Sequence, residues 1–191
     1  MNARRRILAA SLAAASLALF GPQAFAQTPK VLKISHQFPG GSIDEGDFRD
    51  RMVRKFAAEV EKRTNGQLKF EIYPGGSLVK PVEQWGAMAN GSLDMSLYPL
   101  AYAGGRVPEL NIGLMPALVT SYEQGLRWKD APIGKELTRI VEEKGVKIVT
   151  WVWQAGGIAS RGKPIRQPDD VKGLKFRGGS KEMDMMPKAA G

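Results

Sequence analysis

The sequence predicts an α/β fold built on a parallel sheet, and two observations predict it. Through residues 31–74 the hydrophobic spacing runs at a period of two, then a helical period, then two again. That is the pattern of a strand–helix–strand unit, whose right-handed crossover makes the two strands parallel. The run "VKIVTWVWQ" (146–154) is apolar almost throughout. Continuous apolar character of this kind belongs to a strand buried on both faces, as in the middle of a parallel sheet.

The elements follow in order. Residues 1–26, "MNARRRILAASLAAASLALFGPQAFA", carry Arg4, Arg5 and Arg6, an apolar run over 7–20, and Ala24-Phe25-Ala26 before Gln27. These are the three parts of a secretory signal peptide cleaved near Ala26. The run is shorter than the roughly 20 residues a membrane span needs, and Gly21-Pro22 interrupts it. The expected mature protein is therefore exported and not itself embedded in a membrane. The arginines leave both the general and the twin-arginine export routes open.

In "VLKISHQF" (31–38), Leu32 and Ile34 alternate with Lys33 and Ser35, a strand that "PGGS" then breaks. From Asp47, Phe48, Met52, Val53, Phe56, Ala57 and Val60 share one helical face, and Asn65-Gly66 provides a left-handed stop. "QLKFEIYP" (67–74) alternates again as a strand. Pro81 suits a helical first turn, with Trp85 and Met88 inward and Asn90-Gly91 ending it. "SLDMSLYPL" (92–100) is the next strand. After a Pro/Gly-rich passage come helices over 121–128 and 133–144, closed by Gly145. The run 146–154 follows, then short strands "KPIR" and "LKF" around the turn "QPDDVKG". A helix starts near Ser180, in which Pro187 is expected to kink or truncate the turn. A short strand and half a helix do not close a second core, so the expectation is a chain belonging to a longer protein.

Composition narrows the function. The 28 basic and 19 acidic residues give +9; without the three leader arginines, 25 against 19 leave +6. Acids and bases interleave along the expected helices, which describes a solvated surface and not a nucleic-acid footprint. With no cysteine, disulfide scaffolds, thiol catalysis and Cys-based metal sites are excluded. "GIASRGKP" (157–164) approaches a phosphate-binding loop, but Pro164 supplies neither the hydroxyl nor the helix N–H groups that loop uses. There is no G-x-S-x-G elbow, and carboxylate pairs such as Asp169-Asp170 and Glu142-Glu143 belong to turns and solvated faces. No catalytic residue, cofactor or metal site is expected.

Candidate binding residues fall at strand ends, where open parallel sheets receive ligands. His36, the only histidine, follows the first strand; a ligand-facing role and a structural hydrogen bond are both open. Tyr98 ends the third strand. Trp151 and Trp153 share a face of theirs, with Trp151 assigned to the core and Trp153 and Gln154 at the open end. Arg161 lies a few residues further on, in a loop. Arg177 stands at the end of "LKF", where Leu174 and Phe176 face the core and Lys175 and Arg177 face away. Gly178 and Gly179 beside it leave room for a ligand carboxylate, and the next helix adds positive potential. A guanidinium fork matches a carboxylate bidentately.

Several of these segments, in order, resemble the DctP family of solute-binding proteins from tripartite ATP-independent (TRAP) transporters. They are "VLKISHQFPGGS", "AAEVEKRTNGQLKFEIYPGGSL", "MANGSLDMSLYPLAYAGGRVPELNIGLMPAL", "WKDAPIGKEL" and "KPIRQPDDVKGLKFRGGSKEMDMM". The resemblance implies a two-lobed periplasmic-binding-protein fold, with 27–153 mainly the first lobe and 154–191 the incomplete start of the second. It also implies a small organic carboxylate as ligand and integral-membrane TRAP permease subunits as partners. The "GLKFR" segment carries the family's carboxylate arginine onto Arg177; His36, Tyr98, Trp153, Gln154 and Arg161 are carried only as candidates. The acid stays open among dicarboxylates, 2-oxo acids, sugar acids and aromatic acids. Competing readings are a binding protein of an ATP-driven importer, a sensory ectodomain, or a periplasmic lyase or hydrolase of organic acids.

Overall fold

The computed structural model describes residues 28–191, so the expected signal peptide lies outside the described residues. Three parallel strands form a sheet in the order β2-β1-β3, with β1 (Lys30–His36) central, β2 (Leu68–Tyr73) on one side and β3 (Met95–Leu97) on the other. Register runs from Lys30↔Leu68 to Ser35↔Tyr73 in one ladder and from Ile34↔Met95 to His36↔Leu97 in the other. The carboxyl ends of β1 and β3 therefore stand side by side.

The strand–helix–strand opening forms as the spacing predicts, because each local signal agrees with the next. Helix α1 (Phe48–Arg63) starts where the Asp47 carboxylate accepts the Arg49 N–H, and Lys62 and Arg63 lie in its last turn against the dipole. Asn65 and Gly66 take positive φ of 50° and 73°, and the Gly66 N–H donates back to the Glu61 carbonyl at 2.8 Å. Val53 and Ala57 are buried on the sheet side, and Phe56 meets Phe70 of β2 edge-on at 5.8 Å. A polar link centred on buried Gln84 ties the sheet to the next helix, α2 (Gln84–Ala89), which a 3₁₀ turn at Pro81–Glu83 precedes. The Gln84 amide donates to Ser35 Oγ and the Val79 carbonyl and accepts from Ser96 Oγ.

Beyond β3 the chain winds through 3₁₀ turns at Leu100–Ala103 and Pro108–Leu114 before α3 (Tyr122–Arg127) and α4 (Pro132–Glu143). Trp85, Val107, Leu110, Trp128, Leu137 and Val141 make the main apolar core here. Gly145, at φ 80°, ends α4 as expected.

From this point the structure departs from the sequence expectation. Residues 146–154 form no strand. Val146, Ile148, Trp151 and Trp153 still pack on the core while Val149 and Val152 stay exposed, so the side-chain alternation survives, with a slip between 148 and 151. What is absent among the described residues is a neighbouring backbone: alternation places side chains, but a strand exists only where a second chain completes its ladder. The short strands expected in 163–166 and 174–176 are absent for the same reason. Leu174, assigned to the core from its spacing, is exposed, and Phe176 is only half-buried. Helix α5 (Lys181–Ala189) is capped by Ser180, whose hydroxyl accepts the Met183 N–H. Pro187 does not stop it at once; the helix runs two residues further.

Candidate functional site

Two groups of side chains gather at the carboxyl edge of the sheet, one at the end of β1 and one at the end of β3. The first is organised by a fully buried carboxylate. Asp50, in the first turn of α1, accepts His36 Nε2–H at 3.1 Å, the Gly41 backbone N–H at 2.9 Å and Arg54 Nε–H at 2.7 Å. His36 is itself fully buried. Burial outweighs the attraction of Asp50 and lowers its pKa, which holds the ring neutral. Of its two open roles, His36 thus serves the structural one: it fastens α1 and the 37–46 loop to the strand end. Its Nδ1 is buried without a partner.

The same loop and helix place a cation that the sequence did not single out. Arg49 donates Nε–H and Nη2–H to the two Asp47 oxygens at 2.8 and 2.6 Å, and its guanidinium lies 3.9 Å from the Phe38 ring centre. This hydrogen bonding pulls the Asp47 pKa down to about 2. The remaining edge of the fork reaches across 105 residues, where Nη1 donates to Gln154 Oε1 at 3.4 Å. Phe38 also stacks on His36 at 5.9 Å, so His36, Phe38, Arg49 and Gln154 form one run of contacts.

The second group is an aromatic column rising from the core. Trp85, buried, meets Tyr98 at 6.1 Å, and Tyr98 meets Tyr102 at 6.1 Å in an edge-on contact. The Tyr98 hydroxyl is buried without a partner, and burial pushes its pKa up to about 12. Tyr102, in the turn after β3, carries the column to Arg177, whose Nη2 lies 3.5 Å from the Tyr102 hydroxyl, at the outer limit of hydrogen bonding.

Trp153 packs edge-on against Trp128 at 5.1 Å and stacks with Trp151 at 6.3 Å. Its indole Nε1 is buried without a partner. Arg161 is exposed in its loop, and no hydrogen bond or ion pair joins it to these groups among the described residues. The structure thus brings His36 together with Gln154 and Tyr98 together with Arg177, and leaves Arg161 apart. Phe38, Arg49 and Tyr102 were missed because nothing in their spacing marks them; only the fold supplies their partners.

The glycines beside Arg177 serve another purpose than the one expected. A Cβ on Gly178 would collide with the Asp184 carboxylate, and Gly179 lies against Leu114 and Met183, its N–H donating to Met183 Sδ at 3.4 Å. The space they leave is filled by the first turns of α5 and not by a free approach to the backbone.

Two open grooves lie elsewhere. One, of about 430 Å³, runs along α5; the other, of about 780 Å³, lies between the Pro108–Leu114 turn and α4. Tyr98, Tyr102, Trp153, Gln154 and Arg177 line neither of these. Among the described residues there is no cluster of metal-ligating side chains, and no helix is long and apolar enough to cross a membrane.

Known proteins resemble this chain closely. A solute-binding protein of Albidiferax ferrireducens is 67% identical over 168 residues, covering 88% of this chain and 49% of its own length. A crystal structure of a TRAP periplasmic solute-binding protein from Rhodoferax ferrireducens, with bound malonate, superposes with a TM-score of 0.81 at 67% identity, covering 84% of this chain and 51% of that one. The C4-dicarboxylate-binding periplasmic protein DctP of Rhodobacter capsulatus is 31% identical over 175 residues, 91% of this chain and 51% of its own length. The chain therefore spans about half the length of these relatives. All three are binding proteins. Residues 42–191, which hold the second group and all of the first except His36, Phe38 and Gly41, match bacterial extracellular solute-binding protein, family 7 (DctP), and the chain belongs to that family.

Proposed function

We propose that this chain serves as the solute-binding component of a TRAP transporter, capturing a small organic carboxylate in the periplasm and passing it to integral-membrane permease subunits. In this reading the leader is cleaved near Ala26, residues 27–153 form most of a first lobe, and 154–191 begin a second. The observation that carries the proposal is Arg177: an exposed guanidinium without a carboxylate partner among the described residues, seated beside the carboxyl edge of a parallel sheet. Open α/β sheets bind ligands at that edge, and a guanidinium there offers a carboxylate its complementary charge. The malonate held by the Rhodoferax relative supports a compact acid as the cargo. Tyr98 and Trp153 support this edge from beneath, packed on Tyr102 and on Trp128 with their polar atoms buried. Gln154 lines the approach from the β1 side.

The test is a thermal-shift screen of the protein expressed from its gene against a carboxylate panel headed by malonate, followed by calorimetry of Arg177→Ala. Only true ligands raise the melting point in proportion to affinity. Losing the guanidinium should weaken the acid by about 2 kcal/mol or more, roughly thirtyfold. An Arg177→Ala protein that binds the acid as tightly as the parent overturns the reading.

A further inference from the structure

We infer that Tyr102 is the second half of the anion site: its hydroxyl orients Arg177 and donates to the same ligand oxygens. This rests on the carboxylate reading of Arg177 and adds to it a residue supplied by the opposite stretch of chain.

Two of the backbone donors beside Arg177 are already taken by side chains. The Ser180 side chain takes the Met183 N–H, the Gly179 N–H turns to Met183 Sδ, and the Asp184 carboxylate fills the space over Gly178. The Asp184 carboxylate against Gly178 disfavours an acid approaching Arg177 from the α5 side. The free approach is from the other side of the guanidinium, where Tyr102 stands. At 3.5 Å the tyrosine oxygen is placed to accept from Nη2, and its own proton has no acceptor among the described residues. That proton and the outer guanidinium N–H groups can converge on one carboxylate. Charge-assisted hydrogen bonds of this kind are about twice as strong as neutral ones.

The tyrosine is held for this task. Its ring stands edge-on to Tyr98, Tyr98 leans on buried Trp85, and Trp85 belongs to the main core. Arg177, by contrast, sits in a stretch without regular structure. The core-anchored partner thus fixes the one outside regular structure, across 75 residues of sequence, and a ligand carboxylate bound by both ties the two stretches together.

Tyr102→Phe removes the hydroxyl and keeps the ring. Calorimetry with malonate on the parent, Tyr102→Phe, Arg177→Ala and the double variant tests the inference. Expected are an unchanged melting temperature without ligand, about tenfold weaker binding for Tyr102→Phe, and a double variant no worse than Arg177→Ala by more than about twofold. Parent-like affinity in Tyr102→Phe, or losses that multiply in the double variant, overturns the role of Tyr102 while leaving that of Arg177 standing. Parent-like affinity in Arg177→Ala removes the carboxylate reading, and this inference with it.

Discussion

Replacing Asp50 by alanine is the sharpest test of how the carboxyl edge is held together. Its side chain is fully buried, and its two oxygens take three donors, from His36, Gly41 and Arg54. Arg54 is 28% exposed and can turn to water, so its loss costs little. The fully buried His36 ring N–H has no such exit, whereas Gly41 lies in an exposed loop that water can reach. Leaving the histidine donor unpaired costs about 1–3 kcal/mol and the lost bonds to Gly41 and Arg54 add to it, so Asp50→Ala should lose about 2–4 kcal/mol. For a chain of this size that is a fall of about 4–16 °C in melting temperature. Asp50→Asn is the informative control. Its amide oxygen can keep Gly41 and Arg54 while its NH₂ meets His36, whose ring then shifts its proton to Nδ1. The charge is lost but only one donor is stranded, for about 1–2 kcal/mol. Urea and thermal unfolding of the three proteins measure the order, and hydrogen exchange at Gly41 reports the loop. An Asp50→Ala protein that melts within 2 °C of the parent, or one no worse than Asp50→Asn, refutes the account.

Two further predictions follow from the geometry. His36 has a pKa below its usual 6.5 in the folded chain, so the unfolded chain binds more protons between the two values. The stability it contributes is complete above about pH 6.5 and is lost as pH falls toward the folded pKa. A melting-temperature profile from pH 7.5 to 5 should therefore decline more steeply for the parent than for His36→Asn, and parallel profiles would count against the buried neutral ring. Gly125, in α3, is buried under Trp153, and an added Cβ would lie 2.8 Å from the indole. Gly125→Ala should destabilise by about 1–3 kcal/mol and alter the near-ultraviolet dichroism of the tryptophan cluster; a parent-like spectrum and melting point would contradict that packing.

The first half of the fold was legible from residue order alone, and for a local reason. Asp47 caps α1, Asn65-Gly66 stops it, and the alternating runs on either side need only each other to form a ladder. Each signal acts over a few residues, so spacing contains it. Arg177 was legible in the same way, as a cation beside two glycines, although the glycines turned out to accommodate Asp184 and Met183.

Residues 146–154 show the limit of that reading. Their apolar pattern places Trp151 and Trp153 on the core, but whether such a run becomes a strand depends on a neighbouring backbone, which the pattern does not encode. Arg49 and Tyr102 make the same point for the site. As letters they are an arginine in a helical first turn and a tyrosine in a Pro/Gly-rich passage. They acquire meaning only from Gln154 and Arg177, 105 and 75 residues away. The sequence by itself determined the strand–helix–strand unit, because short-range sterics, capping and hydrophobic period act along the chain, and the family was legible from the order of its segments. Only the tertiary structure decided that His36 is a buried clasp and that Tyr102 faces Arg177, because those roles are set by contacts between stretches of chain that no local rule connects.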